Sequence, residues 1–230
     1  DVYRGKLAPE RHFGYFALYV SFFPQLVAGP IERARNLLPQ LRRTAPFDYR
    51  NAVAGLRLMA WGFFLKLVIA DRIAPVVDHV YATPTEFSGA VLAIVTVAFG
   101  FQILGDFAGY SIIAIGAAQV MGIRLMVNFR QPYHARSLRD FWRRWHISLS
   151  TWFRDYVYVS LGGSRSSAAR FYLAIFGVFL LSGLWHGANW TFLLWGLIHA
   201  VMFSLEAATR GARDRFADFV GLNRLPLIRG

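Results

Sequence analysis

The run Trp185-His186-Gly187-Ala188-Asn189-Trp190 sets an imidazole and a carboxamide beside glycine, inside a stretch from Phe171 to Leu205 that holds no Asp, Glu, Lys or Arg. An ionisable side chain at membrane depth is costly and is by default functional. A neutral imidazole there would be a competent general base near neutral pH. Gly183 and Gly187 permit irregular backbone, which at that depth is tolerated only where it is buried in protein or lines a cavity. The competing reading is a helix crossing, with small residues at the contact and His186 and Asn189 bonding between helices.

Two further runs carry reactive side chains. From Phe141 to Tyr156, at about 100° per residue, Phe141, Trp145, Leu149, Trp152 and Tyr156 fall on one arc while Arg143 and Arg154 point away from it. This predicts one amphipathic helix over 141–156 at the membrane interface, with His146 at the margin of its aromatic face. His146 can serve chemistry or simply bond a neighbour. In Gly105-Asp106-Phe107-Ala108-Gly109-Tyr110-Ser111, a carboxylate in mid-span must pair, protonate or face water. Asp106 can orient a histidine or arginine, or form an ion pair that fixes helix packing. His12, His79, His134 and His199 lack partners at metal-ligand spacing, so no metal site is expected. With no cysteine in the chain, thiolate chemistry and disulfides are excluded.

The elements that must position these groups follow from hydropathy. The 230 residues are 56% hydrophobic and 17% aromatic, with a mean hydropathy of +0.38, which points to a membrane protein. His12 to Ile31 is interrupted by Pro24, Gly29 and Pro30 and reads as a short or re-entrant element. Ala52 to Ala70 reads as a span, with Arg57 and Lys66 near enough to its ends to reach headgroups. Ser88 to Ile123 and Phe171 to Leu205 would each measure about 50 Å as straight helices, so they must tilt, break or fold back. A break is expected between Ser182 and Trp190; around Gly105–Gly109 both a break and one long tilted helix fit.

Loop charge alternates in step with these spans. Glu32 to Arg50 is net +3, Asp71 to Ser88 net −2, Arg124 to Arg170 net +7, and the tail from Glu206 net +2. By the positive-inside rule the order is inside, outside, inside, inside, with an out-and-back excursion through 171–205. The formal charge of +12 is thereby accounted for by topology, and no nucleic-acid partner is expected. The chain opens on Asp1 without signal-peptide features and reads as part of a longer protein. The fold class is all-α, polytopic and membrane-embedded.

The runs Phe22–Ile31 (FFPQLVAGPI), Asp106–Ser111 (DFAGYS), Asn128–Tyr133 (NFRQPY), Phe141–Ser150 (FWRRWHISLS) and Leu184–Gly187 (LWHG), in this order, resemble the membrane-bound O-acyltransferase family. The similarity extends from about Asp1 to about Leu205. It is greatest to the bacterial branch that includes the alginate O-acetylation membrane protein and the D-alanyl transfer protein of teichoic acids. The resemblance implies helices, some interfacial and amphipathic, around a tunnel through the bacterial cytoplasmic (inner) membrane. It places residues 1–205 in the middle and later part of the acyltransferase domain and 206–230 in a basic cytoplasmic segment. It implies His186 as the catalytic residue and His146 as the second functional one. Asn189 or His146 would then stabilise an oxyanion, and Asp106 would support the site. Arg130, Arg143 and Arg144 would hold the phosphates of an acetyl-coenzyme A or other acyl-thioester donor, with no resident cofactor. The implied partners are the lipid bilayer, an extracytoplasmic acetyltransferase and a polysaccharide acceptor. A transporter or channel subunit with a midplane polar site is the alternative, since broken helices also bind transported substrates; a scaffold without activity is the third.

Overall fold

Asp48, Ser88 and Asn189 each precede an apolar run, and each side chain caps the helix that follows by accepting a backbone N–H. The structure is a computed structural model describing residues 1–44, 46–163 and 167–221. Among these there is no β-strand. The chain divides into two units, Asp1–Arg130 and Gln131–Gly230.

The first unit holds α1 (Phe13–Val20), α2 (Ala34–Leu41), α3 (Tyr49–Phe63), α4 (Asp71–Ala82) and α5 (Gly89–Val120). A π-helical segment, Phe64–Ala70, joins α3 to α4 in one 34-residue helix, Tyr49–Ala82. The sequence ended this span at Ala70 because Asp71 opens an acidic segment. The helix runs on because Lys66 Nζ meets Asp71 Oδ1 at 2.7 Å and removes much of the penalty of that carboxylate.

The second long helix, α5, is unbroken over 32 residues. Its glycines do not interrupt it; they let it lie directly on α3. A Cβ at Gly62 would sit 2.6 Å from the Gly109 carbonyl oxygen, and one at Gly55 2.6 Å from that of Gly116. The two pairs repeat seven residues apart in opposite chain directions, an antiparallel seam of backbone on backbone. Beside it, α1 is followed by a single turn, Phe23–Gln25, in keeping with a short element there.

Three of the family-like runs converge in this unit. Ser111 Oγ donates to the Ala28 carbonyl at 3.1 Å and accepts from Asn128 Nδ2 at 3.1 Å. Both Ser111 and Asn128 are almost wholly buried. Glu32, also buried, accepts from Asn36 Nδ2 and from the Met126 N–H, each at 2.9 Å.

The second unit holds α6 (Leu138–Arg144), α7 (Ile147–Phe153), α8 (Ala168–His186) and α9 (Trp190–Phe219). The single helix predicted over 141–156 is instead two. Trp145 is extended (φ −100°, ψ 128°) and His146 left-handed (φ 42°, ψ 55°). No glycine or proline marks this break. The Ser150 hydroxyl compensates for it by donating to the Trp145 carbonyl, at 3.2 Å. The break between α8 and α9 falls at Gly187–Asn189, within the expected interval. Here too glycines set the spacing: a Cβ at Gly183 would lie 2.3 Å from the Phe192 carbonyl oxygen, and one at Gly196 2.5 Å from that of Phe179. Helix α9 continues past Leu205 to Phe219, and Glu206 on it accepts the Leu138 N–H at 2.5 Å, tying down the start of α6. Arg165, Arg224 and Arg229 of the basic segments lie outside the described residues.

Tyr49–Ala82, Gly89–Val120, Ala168–His186 and Trp190–Phe219 are each long and apolar enough to cross a membrane. Replacing Gly62 by leucine is expected to force the α3–α5 seam apart and cost about 1–3 kcal/mol or more. Gly89→Ala, where a Cβ meets nothing within 4 Å, should change stability by less than about 0.5 kcal/mol. Thermal unfolding of the two full-length variants in detergent checks this; equal melting temperatures would contradict the seam.

Candidate functional site

His186 is the last residue of α8, and its ring sits where α8 turns into α9. It packs edge-on to Trp195 at 5.3 Å between ring centroids, stacks on Phe192 at 6.1 Å, and lies 5.0 Å from the Trp185 ring. The antiparallel seam of α8 and α9 explains this: with Gly183 against the Phe192 backbone, the first turns of α9 are brought alongside the last turn of α8.

His146 is brought to the same place by different means. Its left-handed backbone, a conformation costing on the order of 1–3 kcal/mol for a non-glycine residue, turns the side chain inward to 5% exposure. Its ring then lies 6.1 Å from that of Trp185, the neighbour of His186. Burial, and to a smaller extent the charge of His186, pulls the His146 imidazole from its ordinary 6.5 down to about 4. At neutral pH His146 is uncharged. The two remaining family-like runs thus meet through His146 and Trp185.

The other predicted residues are distributed as follows. Asn189 caps α9, its side-chain oxygen accepting the Thr191 N–H at 3.2 Å, which leaves its amide nitrogen as the donor. Arg143 and Arg144 end α6, one turn from His146. Arg143 is exposed; Arg144 Nε is held at 2.9 and 3.0 Å from the two oxygens of Asp140. That guanidinium keeps the Asp140 carboxyl below the usual carboxylate range. Arg130 and Asp106 belong to the first unit, Arg130 exposed at its end. Asp106 faces neither histidine nor arginine: its Oδ1 pairs with Lys66 Nζ at 2.8 Å, so Lys66 bridges two carboxylates. No group of three metal-ligating side chains occurs among the described residues.

Residues that sequence reasoning passed over complete the surroundings of His186. Trp142, Phe179, Trp195 and His199 form one aromatic cluster, with Trp195 and His199 rings 4.4 Å apart and Trp142 and His199 5.5 Å apart. The available signal was the i, i+4 spacing of Trp195 and His199 on a single helix face.

Four helices able to cross a membrane define a polytopic membrane protein, and in its second unit the His146 ring lies beside Trp185, the neighbour of His186. The family model for MBOAT, the membrane-bound O-acyltransferase family, matches residues 10–229, and the chain belongs to that family. It is 44% identical over 211 residues to the protein named Probable alginate O-acetylase AlgI in Azotobacter vinelandii, covering 91% of this chain and 42% of that protein. It is 41% identical over 207 residues to the Peptidoglycan O-acetyltransferase of Helicobacter pylori, covering 89% of this chain and 39% of that one. The Teichoic acid D-alanyltransferase of Bacillus subtilis is 30% identical over 197 residues, 81% of this chain and 49% of its own. The chain spans less than half the length of these relatives.

The buried His146 sets a pH dependence of stability. Unfolded, its imidazole takes up a proton near 6.5; folded, it resists until about 4. Between these values the unfolded chain binds more protons, so this contribution is whole above pH 6.5 and is lost as pH falls toward 4, on the order of 3 kcal/mol in all. Asparagine tolerates left-handed backbone and does not titrate. Full-length His146→Asn should therefore lose less melting temperature than wild type between pH 7 and 4.5; parallel losses would refute the assignment.

Proposed function

We propose that this chain is part of a membrane-embedded O-acyltransferase that moves an acyl group, by preference acetyl, from a cytoplasmic thioester to a hydroxyl. The observation carrying this reading is His186 at the α8–α9 break, packed against the Trp185, Phe192 and Trp195 rings, with the buried His146 on the neighbouring Trp185. The imidazole of His186 takes the proton of the attacking hydroxyl as its oxygen bonds to the thioester carbonyl carbon. The carbon–sulfur bond then breaks, and the thiolate leaves and recovers the proton from the imidazolium. During this step the oxyanion accepts from Asn189 Nδ2 or from a His146 ring N–H. Arg143, exposed at the end of α6, with Arg144, would bind phosphates of a coenzyme A or phosphopantetheine carrier.

The names of the relatives support an acceptor in the cell envelope. We take it to be a polysaccharide such as alginate, acylated through an extracytoplasmic acetyltransferase partner, with the protein in the bacterial inner membrane. In membranes containing the full-length protein and radiolabelled acetyl-coenzyme A, label is expected to reach the polysaccharide or the partner. His186→Ala should lower transfer by about 10²-fold or more at normal protein levels, as expected for loss of a general base. Full transfer by that variant would overturn the role of His186. Solute flux without transfer would favour a transporter.

A further inference from the structure

Lys66, Asp71 and Asp106 form an ion triad on the first unit that the proposed transfer chemistry does not use. Lys66 lies in the π-helical segment Phe64–Ala70, where the Asp71 N–H donates to the Lys66 carbonyl five residues back. In an α-helix, residues five apart stand about 140° apart around the axis. The wider π turn swings them toward one side, and Lys66 Nζ reaches Asp71 Oδ1 at 2.7 Å and Asp106 Oδ1 at 2.8 Å. Two carboxylates thus share one ammonium and leave one negative charge over.

The depth of the triad follows from α5. Asp106 is its only Asp, Glu, Lys or Arg in 32 residues. The helix rises about 48 Å, with Asp106 about 25 Å from its start and about 21 Å from its end. Any layer of about 30 Å of hydrocarbon that α5 crosses therefore includes Asp106, and with it the Lys66 head group it bonds. Yet the side chains of Lys66, Asp71 and Asp106 are 37%, 42% and 54% exposed, so this chain does not cover them. A charge at that depth must meet an opposite one or stay out of lipid. Among the described residues, neither Arg57 nor Arg72 forms an ion pair. Arg57 lies about two and a half turns before Lys66, and Arg72, about 9 Å beyond it, has a stem long enough to carry its guanidinium toward the headgroups. In the second unit, Phe171 to Leu205 contains no Lys or Arg.

We propose that this face receives a membrane-spanning segment of the full-length protein that lies outside this chain, and that this segment carries an Arg or Lys that pairs with Asp71 and Asp106. The matched stretch spans only 42% of the Azotobacter vinelandii relative, so a full-length protein of that size has further segments to supply the cover. Charge complementarity selects the chemistry of the segment. One more cation makes the group neutral, whereas an apolar segment leaves the charge uncompensated and an acidic one doubles it. Ile103 and Tyr110, both exposed, lie one turn to either side of Asp106 along α5 and extend the same face. The inference concerns assembly and does not depend on the acyl-transfer reading.

Two measurements on the full-length protein test it, and neither reads transfer. In the first, spin labels are attached to single Ile103→Cys and Tyr110→Cys variants of protein otherwise free of cysteine, held at one copy per lipid nanodisc. A segment packed on the face should shield both labels from oxygen, which dissolves in lipid, and from an aqueous nickel chelate. Frequent collision with oxygen would overturn the cover by giving the face to lipid; frequent collision with the chelate would do so by giving it to water. In the second, Asp106→Asn is added to a Lys66→Met/Asp71→Asn background, in which Asp106 is the last charge of the triad. With an incoming cation that background is neutral, and removing its last carboxylate leaves the cation buried and unpaired, so the melting temperature should fall by about 5 °C or more. Without one, the background buries a lone carboxylate and the same substitution should raise the melting temperature. A rise, no change, or a background that accumulates only once Asp106→Asn is added would refute the incoming cation. Both readouts are made without substrate, so their failure leaves the acyl-transfer reading standing, and failure of that reading leaves them unchanged.

Discussion

In hydrocarbon, one apolar helix gains little by leaving lipid for another, so close van der Waals contact must hold them together. The glycine seams supply that contact, and the rest of the arrangement depends on them. With Gly55 on Gly116 and Gly62 on Gly109, α3 and α5 touch through their backbones, so that Lys66, in the π-helical segment that continues α3, reaches Asp106 on α5. Gly183 against Phe192 and Gly196 against Phe179 do the same for α8 and α9. A side chain at Gly183 would move the first turns of α9 away from His186, and Phe192 and Trp195 with them. The seam is therefore both a packing device and what sets the surroundings of the histidine.

His146 reaches the same neighbourhood at a cost in backbone conformation and in desolvation. Several local interactions offset it. The Trp145 ring stacks on Phe141 at 5.6 Å. The Ser150 hydroxyl takes up the Trp145 carbonyl, and the His146 carbonyl accepts the Ser150 N–H as the first bond of α7. At the other end of α6, Ser137 and Glu206 bind the Asp140 and Leu138 N–H groups. A seven-residue helix held at both ends fixes where the chain must turn. Strain kept in place by such surroundings is characteristic of a position selected for its geometry rather than for stability.

The long helices and the α8–α9 break were legible because they rest on length, hydropathy and capping residues, which act locally. His186 stood out for a related reason, an ionisable group in a stretch otherwise without charge. What escaped was set by contacts between elements. Around Gly105–Gly109 the sequence fits both a breaker and a packing surface, and only the presence of α3 decides between them. Likewise the pairing of Lys66 with Asp71 and Asp106 is a contact between elements that spacing along the chain does not announce. The break at His146 left no local signal, because the residues around it are ordinary helix formers overruled by tertiary burial. Trp142 and His199, distant in sequence, show their relation only once α6 and α9 are packed.

The two units handle ionisable groups in opposite ways, and this bears on why the reactive group would be an imidazole. In the first, Asp71 and Asp106 are held on neighbouring turns of long apolar helices by a shared lysine. A carboxylate there is tolerable because its counter-ion is built in. In the second, Phe171 to Leu205 contains neither Asp, Glu, Lys nor Arg. A carboxylate base placed at the α8–α9 break would find no Lys or Arg between Phe171 and Leu205 and would be driven to protonate, which abolishes it as a base. Imidazole avoids this conflict because its basic form is the uncharged one. On the proposed reading it would sit beside Trp185, Phe192 and Trp195 without a counter-ion and take on charge only as the reacting hydroxyl gives up its proton. An apolar, aromatic-walled break between two spans therefore selects histidine on electrostatic grounds.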